Sequence, residues 1–370
     1  METTTPPPPS SSSPSPSSSP LALDDYRLFG RSGLRVSPLS LGAMTFGRDW
    51  GWGADVDVVQ QIVDRYIERG GNVIDTANFY TNGTSEEIVG RSIAGRRERL
   101  VLATKYSLFT RAGDPNSGGN SRKTMVRAVE DSLRRLGTDF IDLFYLHAWD
   151  DTTPVDEVMR GLDDLVRAGK VVYVGISDTP AWQVARMQTL ADLRGWAPLI
   201  ALQIEYSLIE RTVERELIPM AAALGLGVTP WSPLGGGVLT GKYRTNGANS
   251  TAPRDDGSRR ALVENNGALT ERNAGIADVV VAIAAELGRT PAQVALAWTL
   301  LNPTVTSPIL GVRTLAQLDD NLGALDVVFD DDQRRRLDEV SAIVAGFPHD
   351  FLAWAPIRHN LTGGARIRRR

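Results

Sequence analysis

"LGAMTFGRDWGWG", residues 41–53, ends the first strong apolar run of the chain, and its use of glycine decides between two ways of building an α/β protein. A doubly wound Rossmann sheet wants G-x-G-x-x-G at this point, opening at once into a helix. This stretch has neither that spacing nor an immediate helix. Outward from it, short apolar runs recur: "LSLG" at 39–42, "NVID" at 72–75, "LVLATK" at 100–105, "IDLFYLH" at 141–147 and "VVYVGIS" at 171–177. "LIALQIEY" at 199–206, "GVTPWS" at 227–232 and "TSPIL" at 306–310 complete eight strand candidates. Each is too uniformly apolar to have a wet face, as parallel strands require. Between them lie amphipathic patterns. In "DVDVVQQIVDRYIERGG" Val58, Val59, Ile62, Val63, Tyr66 and Ile67 follow helical spacing before Gly70 and Gly71. Ser121, Pro154 and Thr179 with Pro180 open further helices. The alternation predicts a (β/α)8 TIM barrel, and "YRLFGRSGLRVS" at 26–37 reads as an N-terminal β-hairpin cap.

A chain of 370 residues, 42% hydrophobic and with a net charge of −4, describes a soluble globular protein with a sizeable core. The charge argues against nucleic acid as a partner, because only the terminal "ARIRRR" is strongly basic. Without cysteine there is no disulfide framework, thiolate metal site or catalytic thiol, which fits the cytoplasm. The first residues, "METTTPPPPSSSSPSPSSSP", cannot bury enough apolar surface to offset ordering entropy and do not resemble a secretory signal. Nor is any stretch apolar enough to span a bilayer. The expected organisation is a disordered Pro/Ser-rich leader over 1–25, a barrel over 26–345, and a C-terminal loop and basic tail over 346–370. No metal site is expected, and the partner is a small molecule.

A barrel makes its working mouth from the C-terminal ends of the strands and the loops that follow. Asp75 ends the second run with Tyr80 five positions on, Lys105 ends the third, His147 the fourth and Ser177 the fifth. Alone, each has an ordinary explanation: Asp75 caps a turn, Tyr80 packs on a rim, Lys105 is a rim cation, His147 a hydrogen-bonded core histidine. Their common position at strand ends favours one pocket. A free tyrosine titrates near pH 10, too high for ready proton exchange at neutral pH, and a nearby ammonium lowers that value. Lys105 is therefore expected to stabilise the phenolate, Asp75 to balance Lys105, and His147 to hydrogen-bond a substrate oxygen near Tyr80. Such a set suits acid–base chemistry on a carbonyl, and a cofactor must complete the reaction.

From about Tyr26 to Asn321 these motifs resemble the aldo-keto reductases, in the branch of bacterial aryl-alcohol-dehydrogenase-like and potassium-channel β-subunit-like proteins. "NVIDTANFY", "ATK" and "IDLFYLH" put Asp75, Tyr80, Lys105 and His147 on that family's catalytic positions. The resemblance implies a nicotinamide cofactor across the barrel mouth, hydride transfer to a carbonyl carbon, and a proton from Tyr80. It assigns Thr45 to the cofactor, and Ser177, Asp178 and Gln203 to the nicotinamide carboxamide, with Tyr206 stacked on the ring. Asp178 departs from the commoner Asn: when ionised it accepts from the amide NH₂ but cannot serve the amide oxygen. Trp231, Ser232, Leu234, Gly235, Gly237 and Lys242 of "WSPLGGGVLTGKY" match the pyrophosphate loop. Gly311, Arg313, Gln317, Asp320 and Asn321 of "GVRTLAQLDDN" match the adenosine end. Arg313 favours NADP(H) over NAD(H), and Arg254, Arg259 and Arg260 are further candidates for a 2′-phosphate. Phe46, Trp52 and Tyr106, with Trp50 and Trp149, are candidate substrate-pocket aromatics for aryl, alkyl or sugar-type carbonyls. "GFPHDFLAWAPIRHN" is a candidate specificity loop over the mouth or an oligomer contact. Two other functions fit parts of the pattern: a Schiff-base lyase using Lys105, and a non-catalytic cofactor-binding redox sensor.

Overall fold

Alternating side chains on eight parallel strands build the barrel. A computed structural model of the chain describes residues 20–243 and 260–367. Most of the leader (1–19), Arg254 and Arg259 of the insertion, and tail residues 368–370 lie outside them. The hairpin strands are β1 (Arg27–Leu28) and β2 (Arg35–Val36). The barrel strands are β3 (Ser40–Gly42), β4 (Val73–Asp75), β5 (Val101–Tyr106), β6 (Ile141–Leu146), β7 (Val171–Ser177), β8 (Leu199–Glu205), β9 (Gly227–Trp231) and β10 (Ile309–Gly311). They pair in parallel in the order β10-β3-β4-β5-β6-β7-β8-β9. Between β9 and β10 the seam is joined by a parallel bridge, Val228 to Val305, with Thr306 N donating to Val228 O at 2.8 Å. All eight expected strands are present, and the fold is a (β/α)8 barrel with an N-terminal hairpin.

Parallel strands face two apolar environments. Val73, Val101, Ala103, Leu143, Tyr145 and Ala201 pack inside the barrel. Leu102, Phe144, Leu146, Val174, Ile176, Leu202, Ile204 and Val228 pack outward against the helices. Towards the C-terminal ends of β4–β9 inward residues carry odd numbers and outward ones even numbers, the period of two that a pleated strand imposes, whereas at the strand starts Ile200 joins the inner core and Ile141, Val171 and Leu199 the outer one.

The helices run from α1 (Val56–Glu68), α2 (Thr84–Ser92), α3 (Arg122–Leu136), α4 (Val155–Arg167), α5 (Ala181–Arg194) and α6 (Leu217–Leu224) to α7 (Arg260–Asn265), α8 (Glu271–Leu287), α9 (Pro291–Leu300), α10 (Leu315–Leu322) and α11 (Asp331–Val340), then α12 (His349–Ala353) and α13 (Ala355–Thr362). Their ends follow the expected signals. Ser121 accepts from Thr124 N to cap α3, Pro154 and Pro180 stand at the N-caps of α4 and α5, and Gly137 and Gly195 end α3 and α5 in left-handed backbone. Fully buried Glu86 in the first turn of α2 accepts from Thr104 Oγ1 of β5 at 2.5 Å and from Arg135 Nε of α3 at 2.7 Å. That network ties the segment after β4 to β5, and so fixes one strand end relative to the next.

The hairpin closes the N-terminal end of the barrel, where Phe29 and Val36 join the inner core. Gly30, at φ 55°, sits so close to β8 and β9 that a Cβ would lie 2.4 Å from Ile200 O and 2.7 Å from Gly227 N. Gly30→Ala is therefore expected to destabilise the protein by about 2–4 kcal/mol, from left-handed strain plus displacement of the hairpin, read as a lower urea midpoint.

Two boundaries differ from the sequence reading. Leu21 and Leu23 belong to the packed body although they fall within the expected leader: Leu21 N donates to Leu325 O at 2.9 Å and Leu23 is buried. Being apolar, they gain by burial what the Pro/Ser run before them cannot. The C-terminal segment does not cover the mouth among the described residues. Val344, Ala345, Gly346, Phe347 and His349 instead border a groove with Ala181 and residues 212–217, on the flank of the barrel. Among the described residues no single helix is long and apolar enough to cross a membrane.

Candidate active site

Asp75 ends β4 and Lys105 lies on β5, both pointing inward by the odd-residue rule. Both are buried, Lys105 completely. Lys105 Nζ donates to Asp75 Oδ1 at 2.5 Å, to Thr76 O at 2.8 Å and to Tyr80 Oη at 3.2 Å. From β8, Gln203 Nε2 donates to the other Asp75 oxygen at 3.0 Å. His147, one residue beyond β6, sets its ring edge-on to Tyr80 with centroids 5.6 Å apart. The four residues singled out at strand ends therefore converge on one point of the mouth.

The charges are ordered by burial. Burial alone would lower Lys105, but Asp75 and Tyr80 outweigh it, so the ammonium is held above its ordinary value. The expected depression of Tyr80 is not the net result. Burial pushes the phenol up, Lys105 opposes this, and Asp75 adds to the rise. The correction is physical: the ammonium is already shared with a carboxylate and a carbonyl, so its help cannot cancel desolvation. Tyr80 is thus a protonated phenol at neutral pH, a donor. Burial, and then the charge of Lys105, hold His147 well below its usual value, so it is a neutral imidazole.

The rim is strained. Five non-glycine residues have positive φ among those described: Thr81 and Asn82 after β4, Ser107 after β5, Asp178 after β7 and Ser232 after β9. All five follow barrel strands at the same end, where function commonly concentrates such conformations.

A cavity of about 460 Å³ runs from this point across the barrel mouth. Tyr80, His147 and Asp75 line one end with Trp50, Phe79 and Leu108. Ser177, Asp178, Gln203 and Trp231 line the middle, with Trp231 Nε1 donating to Asp178 Oδ1 at 3.0 Å. Ser232, Leu234, Gly237 and Lys242 of the loop after β9, Gly311, Arg313, Gln317, Asp320 and Asn321 of the segment from β10 to α10, and Thr45 are also on the wall. Gly235 adjoins the cavity through Gly236 and is not on its wall.

The residues present suit an extended dinucleotide. The buried Ser177 hydroxyl and His147 Nδ1 have no hydrogen-bond partner in the protein, and both residues line the cavity. Gly235, Gly236 and Gly237 all have positive φ, and a Cβ on Gly237 would fall 2.7 Å from Lys242 Nζ. That glycine turn brings a cation against cavity-lining backbone, as an anionic linker requires. Gln317 Oε1 accepts from Arg313 N at 2.8 Å, which orients the start of α10. Asp320 is held by Thr290 and Gln293. Among the described residues no group of acidic, His or Cys side chains is placed to hold a metal ion.

Several expected contacts lie elsewhere. Tyr206 is turned outward and buried, its hydroxyl donating to Glu214 Oε1 at 2.8 Å and its ring tilted against Trp298. The alternation that points Gln203 inward points the even-numbered Tyr206 away, and Trp231, two residues after inward Thr229, lines the cavity instead. Tyr106, next to inward Lys105, stacks outward on Phe144 at 5.3 Å for the same reason. Phe46 is fully buried in the outer core. Trp52 is off the cavity wall, its ring tilted against Trp50 at 5.9 Å, and Trp149 packs at the core margin. Arg260 opens α7 and is not on the cavity wall. Sequence reading missed Phe79, Gly236, Ala292 and Leu296 on that wall. Nothing in spacing marks the α9 pair, Ala292 and Leu296, as different from core residues.

A parallel barrel with a phenol, an ammonium, a carboxylate and an imidazole at one end of a long cavity defines a dinucleotide-dependent barrel enzyme. The model of the Aldo/keto reductase family matches residues 38–342, and the chain belongs to that family. It is 38% identical over 343 residues to an uncharacterized oxidoreductase of Bacillus subtilis, covering 89% of this chain and 100% of the relative. It is 37% identical over 335 residues to an aryl-alcohol dehydrogenase [NADP(+)] of Phanerodontia chrysosporium, covering 86% of each. A norsolorinic acid reductase of Aspergillus flavus is 36% identical over 363 residues, covering 94% of this chain and 90% of the relative. The chain is an NAD(P)H-dependent oxidoreductase acting on carbonyl and alcohol groups.

Proposed function

We propose that this enzyme uses NADPH to reduce aryl aldehydes or ketones, with Tyr80 as the proton donor. The observation that carries the reading is the contact of Tyr80 Oη with Lys105 Nζ at 3.2 Å, beside a cavity of about 460 Å³ lined by strand ends and loops from β3 to β10. His147, neutral and facing Tyr80, hydrogen-bonds the substrate oxygen and holds it near the phenol. Tyr80 gives its proton to that oxygen, and Lys105 stabilises the phenolate left behind. Asp75 keeps Lys105 charged, and Gln203 holds Asp75 in place. The bound nicotinamide supplies the hydride. Ser177, Asp178 and Gln203 are its carboxamide partners, Trp231 rather than Tyr206 covers the ring, and the Ser232–Lys242 loop holds the pyrophosphate.

The aryl preference rests on a wall of rings beside Tyr80: Trp50 lies 5.6 Å from Phe79 and 6.4 Å from Tyr80, and Phe79 lies 5.8 Å from Phe109. Flat apolar faces at such spacings suit an aromatic substrate. The names of the aryl-alcohol dehydrogenase and norsolorinic acid reductase relatives support the same class. Preference for NADPH rests on Arg313 at the adenosine end, whose guanidinium can grip a 2′-phosphate, and on the NADP(+) in one relative's name. A Schiff-base role for Lys105 is disfavoured, because its ammonium has three acceptors and is held protonated.

The expected result is that NADPH binds at least about tenfold more tightly than NADH, and that benzaldehydes are reduced faster than short alkyl aldehydes. Calorimetric titration and the loss of reduced-nicotinamide absorbance measure the two. Tighter NADH binding overturns the cofactor preference, and absence of turnover across aldehydes, ketones, quinones and sugars favours the redox-sensor alternative.

A further inference from the structure

Asp178 borders the cavity in a particular electrostatic setting. It follows β7 in left-handed backbone, φ 38°, a conformation that Asp and Asn tolerate better than most side chains. Its carboxylate accepts from Trp231 Nε1 at 3.0 Å and is open to the cavity. Among the described residues no cation lies within ion-pair distance of it. Asp178 is exposed to the cavity mouth, unlike the buried carboxylates Asp75, Glu86 and Asp163, which are neutralised by Lys105, Arg135 and Arg167.

The charged groups that act on Asp178 come from neighbouring strands. Lys105 of β5 is already held by Asp75 and Tyr80, and Glu205 ends β8. Burial lifts the Glu205 carboxyl to about 7, and Glu210 and Asp178 add to that rise. Asp75 and Lys105 cancel each other. The flank of the cavity beside Trp231 is therefore negative, and Asp178 is its member on the wall. A carboxylate held by an indole N–H and facing an open cavity is complementary to a cation.

Resting on the cofactor reading above, we propose that Asp178 is the counter-charge for the oxidised nicotinamide, so that the site holds the pyridinium cation in preference to the neutral reduced ring. The balance is that of hydride transfer. Two electrons and a proton leave the reduced ring as hydride and bond to the carbonyl carbon, the carbonyl oxygen takes its proton from Tyr80, and the ring is left with one positive charge. Asp178 favours the side of that exchange on which the ring is charged, and an asparagine of the same shape would be indifferent to it. Desolvation also raises the Asp178 carboxyl, against the indole N–H of Trp231, the adjacent Ser177 hydroxyl and the charge of Lys105, and a nearby cation draws it back to the ionised form.

The test is the dissociation constants of NADP⁺ and NADPH, by tryptophan quenching, for the native enzyme and for Asp178→Asn. The expected result is at least about tenfold weaker NADP⁺ binding by the variant with little change for NADPH, so that the ratio of the two constants moves. Unchanged NADPH binding also reports that the variant is folded with its cavity intact. A ratio that stays where it was, or a loss shared equally by both forms, overturns the proposal while leaving the cofactor assignment standing. If neither form binds the native enzyme, the assignment and the proposal fall together.

Discussion

Tyr80→Phe is expected to slow carbonyl reduction by roughly 10²–10⁴-fold while leaving the dissociation constant for NADPH within about a factor of two. The change deletes one oxygen, the one 3.2 Å from Lys105 Nζ. The ring stays against Trp50 and His147, so packing of the rim survives. Because burial raises the phenol above its ordinary value, Tyr80 keeps its proton throughout the neutral range. Reduction by the native enzyme should accordingly be insensitive to Tyr80 across neutral pH and decline only on the alkaline side of the ordinary tyrosine value, since the donating form is the protonated one. The inactive Phe variant should show full cofactor binding by titration. Unchanged turnover by that variant would remove Tyr80 from the chemistry.

Lys105→Met should be the most damaging single change to stability at the site, at about 3–5 kcal/mol by urea unfolding. The long apolar replacement fills most of the same space, so the loss is electrostatic. Asp75, only 4% exposed, would keep Gln203 as a neutral donor but would face no cation. The pair can be separated from the reaction. Adding Asp75→Asn to Lys105→Met removes the stranded charge and should restore most of the stability, yet turnover should remain absent because nothing would stabilise the Tyr80 phenolate. Recovery of both stability and activity in the double variant would show that Lys105 serves packing alone.

The barrel was legible because each strand is uniformly apolar, and because the odd positions that enter it end in polar residues at one rim. Asp75, Lys105 and His147 could be assigned from that pattern, and Tyr80 from its distance after Asp75. The same period of two, applied consistently, also separates Trp231 from Tyr206 and Lys105 from Tyr106. Resemblance of motifs outweighed it at Tyr206, and the supply of aromatic residues outweighed it at Tyr106. Other features had no sequence signal. The net rise at Tyr80 depends on how many neighbours share the Lys105 proton donors, which only geometry reveals. Ala292 and Leu296 reach the cavity through the angle at which α9 crosses the barrel, and their own pattern is that of any buried helix face.

The hairpin plug at the opposite end, with Phe29 and Val36 seated in the inner core, makes the molecule a vessel with one doorway. Tyr145 and its neighbours fill the shaft between, so among the described residues packed side chains lie behind the reacting groups. Substrate and product therefore share the passage at the mouth among the described residues. Traffic through it, rather than bond making, becomes the natural bottleneck whenever a spent ligand is held firmly.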